Sequence, residues 1–354
     1  MFDLNWVIIG GFAAGAIAGA SARFGKLCTM STIEDALVAL DFRGLKAWGL
    51  ALAVAILATQ TASLLGLIDL SRALYLSPRI HLTGTILGGA MFGLGMTLVG
   101  TCGFGLLVRA GGGDLRAAMS ALVVGIFAIA VTAGLLGPLR ISILEFGIID
   151  LAPFGGGSLV GLLRSAAGPT VGTVLLALLP AGVLALAILD RRIKQRPRLL
   201  IGSIFMGLSI AVGWFATSRA VDSMLIDRPE SLSFVAPMGR ALLQFMADPF
   251  RNAGFGVAAM FGVLTASFAV AWWRNELRSE AFDDATEMRR HVFGGALMGL
   301  GGVLAQGYTI GQGLSAASTL AVTAPLFIAS LFVGAKLGLL HLIEGRSLWR
   351  LGRQ

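Results

Sequence analysis

Charge is scarce in this chain. Asp, Glu, Lys and Arg make up only 13% of its 354 residues, about half the share of an ordinary soluble domain. Cysteine is scarcer still: Cys28 and Cys102 are the only two, too few for a disulfide framework. The two could pair only if their backbones came close, which a sequence does not reveal. Three histidines, His81, His291 and His341, stand far apart. Each falls near the end of an apolar run, where an imidazole reads as interfacial. Neither CxxC nor paired-histidine spacing occurs, so no metal centre and no cofactor are expected. The N-terminus has no basic leading region, and its first charge is Asp3, so it does not read as a cleaved signal peptide.

What fills the chain instead is apolar sequence, 56% of it, with 49 glycines. Uncharged windows cover 4–22, 47–68, 80–108, 117–139, 165–189, 199–218, 252–273 and 291–335. A helix crosses a bilayer with roughly 20 apolar residues. The last window is long enough for two spans around a glycine-rich centre. The reading is an all-α polytopic membrane protein with about nine transmembrane helices, one integral domain over 1–354. Gly11, Gly15 and Gly19 in the first window form a small-residue face suited to close helix packing.

The net charge of +8 reports orientation rather than a nucleic-acid partner. With alternate loops assigned to opposite sides, 23–46, 101–116, 191–198, 274–290 and the C-terminal tail hold 18 Lys and Arg. The segments 69–83, 137–169 and 217–251 hold 8. The richer side is cytoplasmic by the positive-inside rule, with DRRIKQRPR (190–198) the clearest anchor. The N-terminus then lies outside and the C-terminus inside.

GGAMFGLG, beginning at Gly88, returns as GGALMGLG beginning at Gly294, an offset of 206. An odd number of spans separates the copies, so they cross in opposite directions: an inverted pseudo-twofold repeat, with half-repeats over 1–140 and 165–354. Such repeats often place a substrate path at their interface, lined by discontinuous helices. At the same offset Cys102 falls on Tyr308 and Cys28 on Phe234, the latter inside the loosely matching ESLSFVAPMGRALL (230–243).

Both copies lead into glycine-rich breaks. GTCGFG holds Cys102 between Gly100, Gly103 and Gly105, and QGYTIGQG holds Tyr308, Thr309 and Gly311 between Gln306 and Gln312. Glycine permits backbone turns that other residues resist. Bare backbone at membrane depth is tolerated inside protein or beside a polar cavity, so short re-entrant segments facing a protein-lined path are expected. A buried free cysteine is ordinarily an inert small hydrophobe; its place in a break favours a functional role. A third feature is RFGKLCTMSTIEDAL (23–37). Ser31 and Glu34 have capping-box spacing and predict a short helix starting at Ser31. Cys28 stands just before it, with Arg23 and Lys26 alongside. A helix N-terminus beside cations favours an anion. An ordinary capped cytoplasmic loop accounts for these residues equally well.

Together, CTMSTIEDAL, GTCGFGLLVRAGGGDLR and YTIGQGLSAASTLA resemble the motifs of the YeeE/YedE family of sulfur-compound transport proteins, over nearly the whole chain. SLSFVAP resembles the stretch before the family's late spans. The resemblance implies inner-membrane uptake of thiosulfate or a related inorganic sulfur anion. It implies about nine spans in inverted halves and a path marked by three thiols that contact the anion in succession. Cys28 and Cys102 match the first two; Tyr308 stands where the third would be. Thr29, Gly103, Gly105, Thr309, Gly311 and Gln312 fall in the matching segments as path residues. A small TusA-like sulfur carrier is an implied partner, not fused here. Tyr308 can donate a hydrogen bond but cannot form a persulfide. On the assigned orientation it lies nearer the outer entrance, where it would alter entry or selectivity.

Neutral thiols and backbone N–H groups suit a soft dianion, since a path must bind weakly enough to release. Arg23, Lys26, Arg109 and Arg116 lie on the cytoplasmic side, available to draw the anion inward; positive-inside topology explains them as well. Two other readings stay open: a transporter of a selenium compound or another oxyanion, and a membrane sulfurtransferase or thiol-redox protein using Cys28 and Cys102. An enzyme needs an activated thiolate, and no histidine is placed to serve either cysteine. No intramembrane Asp or Glu gives the usual signature of proton coupling.

Overall fold

The computed structural model describes residues 2–154, 156–167, 182, 195–222, 227–247 and 254–344. The first part of the chain forms α1 (Phe2–Gly25), α2 (Thr29–Val38), α3 (Arg43–Leu64), α4 (Leu82–Val99), α5 (Gly103–Gly111), α6 (Leu115–Thr132), α7 (Gly137–Glu145) and α8 (Leu159–Ala167). The second forms α9 (Pro197–Asp222), α10 (Val235–Ala247), α11 (Phe255–Trp273), α12 (Ala285–Leu304), a π-helical turn (Gly311–Ala316) and α13 (Thr323–Glu344). Two three-residue strands, Arg79–His81 and Ile148–Asp150, pair antiparallel.

Seven stretches among the described residues are long and apolar enough to cross a membrane: Asn5–Val38, Arg43–Leu64, Leu82–Gly111, Leu115–Thr132, Pro197–Val221, Phe255–Trp273 and Thr323–Ile343. The chain is an all-α polytopic membrane protein. The expected span 165–189 lies outside the described residues, apart from its first turn and residue 182. Most of the basic anchor 190–198 and the C-terminal tail also lie outside them. The span expected from 291 is the later part of α12. That helix starts earlier, and Glu287, Arg289 and Arg290 in its first turns make it less apolar than the other seven.

Helix ends follow local chemistry. The Asp114 carboxylate caps α6 by accepting from the Ala117 N–H at 3.1 Å. Asp284 caps α12 by accepting from the Glu287 N–H at 2.6 Å. Gly100, at φ 79, ends α4 in the left-handed region, which costs a residue without Cβ little.

The repeated glycine runs meet at the centre. A Cβ on Gly88 would stand 2.6 Å from the Gly301 carbonyl oxygen, and one on Gly95 would stand 2.5 Å from that of Gly294. α4 and α12 therefore cross antiparallel with their backbones in contact. α1 and α9 cross antiparallel as well, Gly25 lying against Gly202 and Gly10 against Ala216. The glycine face of α1 serves packing: Gly11 lies on the Phe255 carbonyl and Gly19 on that of Val263. Helices also pack reciprocally, α4 on α13 as α12 packs on α6, and α1 on α11 as α9 packs on α3.

Loops assigned to one side from charge alone meet one another. The Leu115 N–H donates to the Glu280 carbonyl at 2.9 Å, and Arg23 Nη2 to that of Glu276 at 3.0 Å. On the opposite side the Leu82 N–H donates to Gly147 at 3.0 Å and the Leu151 N–H to Pro78 at 2.8 Å.

Candidate functional site

The short helix in 23–37 begins earlier than its sequence suggests. It starts at Thr29, and Cys28 is its N-cap, in extended conformation at φ −135 and ψ 125. Ser31 does not cap it; its exposed hydroxyl donates back to the Cys28 carbonyl at 3.2 Å. The Ser-x-x-Glu pattern thus lies one turn inside the helix, because the chain leaving α1 turns at Lys26 (φ 54) and is already helical by Thr29.

Cys102 holds the equivalent place on α5, as N-cap at φ −83 and ψ 168, its sulfur accepting from the Gly105 N–H at 3.4 Å. The two starts face each other. Cys28 Sγ lies 3.7 Å from Thr101 Oγ1, and Thr29, the first residue of α2, lies near the Cys102 sulfur. Two helix N-termini, each carrying partial positive charge, thus converge on one thiol pair. Of the three glycines in GTCGFG, only Gly100 needs an unusual backbone. Gly103 and Gly105 are helical, and they matter because a side chain there would fill the gap. A Cβ on Gly105 would overlap the Thr101 hydroxyl, and one on Gly103 would stand 3.6 Å from Tyr308 Cε2.

Tyr308 therefore sits beside the Cys102 loop. It is fully buried, its ring 5.4 Å from Phe92 and 6.4 Å from Phe234 by centroid. Phe234 in turn stacks on Phe104 at 5.3 Å. The Tyr308 hydroxyl makes no regular hydrogen bond, although the Phe234 backbone lies near it. The Thr29 and Thr309 hydroxyls are equally buried and equally unsatisfied. Such groups are costly to leave without a partner. Phe234 immediately precedes α10, its carbonyl accepting from Met238 at 2.8 Å. Tyr308 precedes the π-helical turn, its carbonyl accepting from Gln312 at 2.6 Å. The four residues related in pairs by the offset of 206 thus each stand at the start of a short helical segment, and these starts are brought together.

One large cavity leads to this point. It measures about 460 Å³, and Arg23, Lys26, Cys28, Thr101, Gly105 and Arg109 are among its walls. Cys28 is half-buried and Cys102 fully buried, so Cys28 comes first from the cavity inward. Arg109 is held by Asp114 at 2.6 Å. Arg23 lies 3.7 Å from Glu276. Arg116 lies outside the cavity wall, bound to Glu280 and to Glu287. Lys26 is exposed and, among the described residues, in no ion pair. Its charge is the least committed of the four. The Glu287 carboxyl is held below its usual range, first by the Asp283 backbone N–H.

A recess of about 10 Å³ is lined by Tyr75, His81, Gln306, Gln312 and Thr323. Gln312 is buried and tied at both ends, its amide donating to Ala305 at 2.7 Å and its oxygen accepting from Thr323 at 3.1 Å. Gly311 faces Tyr75, whose hydroxyl would stand 3.4 Å from a Cβ there. Gln306 turns outward and is exposed. His291 is buried, its Nδ1 2.9 Å from Ser120 Oγ, and is therefore less interfacial than its position near a span end implies. Among the described residues, no group of His, Cys, Asp and Glu has metal-site geometry. The aromatic collar of Phe92, Phe104 and Phe234 around Tyr308 escaped sequence reading. Only the 206-residue offset from Cys28 to Phe234 hinted at it.

A family model described as "Sulphur transport" matches residues 24–337. Among curated proteins, the thiosulfate transporter TsuA of Escherichia coli (strain K12) is 24% identical over 320 residues, 87% of each chain. The thiosulfate transporter TsuA of Spirochaeta thermophila is 25% identical over 333 residues, 91% of this chain and 94% of its own.

Proposed function

This chain belongs to the sulphur transport family, and on that premise we propose that it carries thiosulfate or a closely related inorganic sulfur anion across the bacterial inner membrane. The observation that carries the proposal is the meeting of Cys28 and Cys102, each the N-cap of a short helix, below a cavity walled by Arg23, Lys26, Arg109 and Arg278 and by Asp114, Glu276 and Glu280. The names of the two relatives point the same way.

On this reading the route runs between the narrow recess at Gln312 and the open cavity, past Tyr308, Cys102 and Cys28. The open cavity faces the cytoplasm, where a TusA-like carrier would receive the sulfur. The half-repeats 1–140 and 165–354 are inverted copies, as the antiparallel crossing of α4 and α12 supports. The physical requirement is a site that attracts a dianion without trapping it. Helix N-termini and backbone amides supply partial charge, and thiols and hydroxyls supply neutral donors. Arg109 and Arg116 are held by carboxylates and Arg23 lies 3.7 Å from Glu276, leaving Lys26 and Arg278, both exposed and in no ion pair among the described residues, to draw anions to the cavity.

Transport is favoured over thiol chemistry because the Cys102 sulfur is fully buried among the neutral groups of Cys28, Thr29 and Gly105. A second reading, another oxygen-rich anion, is favoured by one observation. The buried, unsatisfied hydroxyls of Thr29, Tyr308 and Thr309 are oxygen-type donors. They suit the oxygens of sulfate or selenate as well as those that thiosulfate carries.

Uptake of radiolabelled thiosulfate into proteoliposomes decides between these. Wild-type uptake that Cys102→Ala abolishes supports the route. Absence of uptake by folded wild-type protein, with transport of sulfate or selenate instead, would replace the first reading by the second.

A further inference from the structure

Beside the large cavity lies a second one of about 420 Å³, sharing Lys26 and Leu27 with it. Its walls include the starts of α2 and α3 and the segment entering α9. Lys26, Arg196 and Arg198 line it. All three are exposed, and among the described residues none is in an ion pair. The acidic groups facing them do not cancel this charge. Asp41 is closed off by Arg43, whose backbone N–H and Nε donate to its Oδ1 at 3.0 and 2.9 Å. Asp35 is the other carboxylate in the wall. Arg274 is tied to Glu276 at 3.1 Å.

The same cavity has an apolar continuation. Arg274 places its guanidinium over the ring of Phe24, 5.9 Å from the centroid. Phe24 lines the basic cavity on one side and an apolar furrow of about 290 Å³ on the other. Ile17 and Ala20 of α1, Ile201 and Phe205 of α9, and Val270 of α11 line the furrow. Ile201 and Phe205 are 43% and 50% exposed, as side chains facing lipid are. The furrow therefore opens on the membrane flank and ends where the free cations begin.

We propose that this composite site holds one anionic phospholipid. Its phosphate lies among Lys26, Arg196 and Arg198, and one acyl chain lies along the furrow past Phe24. A soluble phosphate would use only the basic half and a neutral lipid or detergent only the apolar half; the continuity of the two through Phe24 singles out a ligand with both. Basic recesses between membrane helices commonly take such headgroups.

The test is native mass spectrometry and thermal unfolding of the full chain in detergent with phosphatidylglycerol, phosphatidylcholine or glycerol 3-phosphate. Phosphatidylglycerol should bind one per chain and raise the melting temperature, with phosphatidylcholine much weaker and glycerol 3-phosphate without effect. The double variant Arg196→Gln/Arg198→Gln should lose roughly 30-fold in phosphatidylglycerol affinity. Ala20→Trp, which fills the furrow and leaves the cations intact, should weaken it independently. Equal binding of both lipids, undiminished phosphatidylglycerol binding by both variants, or glycerol 3-phosphate binding as tightly as the lipid would each overturn the proposal.

Discussion

Cys28 and Thr101 touch, Sγ to Oγ1, at 3.7 Å. This contact joins the N-cap of α2 to the residue before the N-cap of α5, across 73 positions of chain. It brings two sequence motifs to one place, in the wall of the large cavity. Gly105 limits how tight that place becomes, since a Cβ there would overlap the Thr101 hydroxyl.

Gly105→Ala should therefore cost about 1–3 kcal/mol by overpacking and sharply reduce anion uptake. Adding Thr101→Ala removes the clashing hydroxyl and should restore most of the lost stability. Melting temperature and proteoliposome uptake of the single and double variants check this. An additive double variant would mean that the clash is not the cause.

Tyr308 separates ring from hydroxyl. Tyr308→Phe keeps the packing on Phe92 and Phe234 and removes a buried hydroxyl without a regular partner, so stability should change by less than about 1 kcal/mol. Tyr308→Ala empties the collar and should cost about 3–5 kcal/mol. If the hydroxyl contacts the transported anion, Tyr308→Phe lowers uptake severalfold while unfolding stays as in wild type. Unchanged uptake in a well-folded Phe variant would confine Tyr308 to packing.

Asp114 caps α6 and pairs with Arg109 at 2.6 Å and with Arg116 at 3.7 Å. Asp114→Asn keeps an acceptor for the Ala117 N–H, whereas Asp114→Ala loses it. The Ala variant should be less stable than the Asn variant by about 1 kcal/mol. Both leave Arg109 with only the longer contact to Glu280, 4.0 Å, so both should strengthen the salt dependence of anion uptake. Flux measured at low and high ionic strength tests that part.

Arg43 holds the Asp41 carboxyl down from 3.8 to about 2, chiefly through side-chain hydrogen bonds. A depressed carboxyl contributes stability above its unfolded pKa and loses it as pH falls through the folded value. Wild type should thus shed this contribution between about pH 4 and pH 2. Asp41→Asn should show a smaller loss across that window and converge with wild type at its acid end. Melting temperatures across that acid range provide the check. Any divergence arising only above pH 6 would contradict the assignment.

The membrane class was legible in the sequence because the bilayer imposes a simple rule, about 20 apolar residues per span. The windows 4–22, 47–68 and 117–139 accordingly became α1, α3 and α6. The breaks were legible too, since Gly100 and Gly307 mark places where regular helix stops. The sequence was weaker where chemistry is ambiguous at short range. Ser31 and Glu34 have capping-box spacing, yet Cys28 is the cap, because the exit angle from α1 sets where α2 begins. Nor did composition separate committed from free cations. Arg109 and Lys26 look alike in sequence, but Asp114 folds onto only the first.

The sequence by itself determined the solvent, the spans and the places where the chain breaks, because each depends on neighbours within a few residues. Only the tertiary structure decided that Cys28, Cys102, Phe234 and Tyr308 share one centre. They are up to 280 positions apart. The antiparallel crossing of α4 and α12 by itself sends the two breaks to opposite ends; they share a centre because each turns back toward the crossing, Tyr308 onto Phe92 and Gly103.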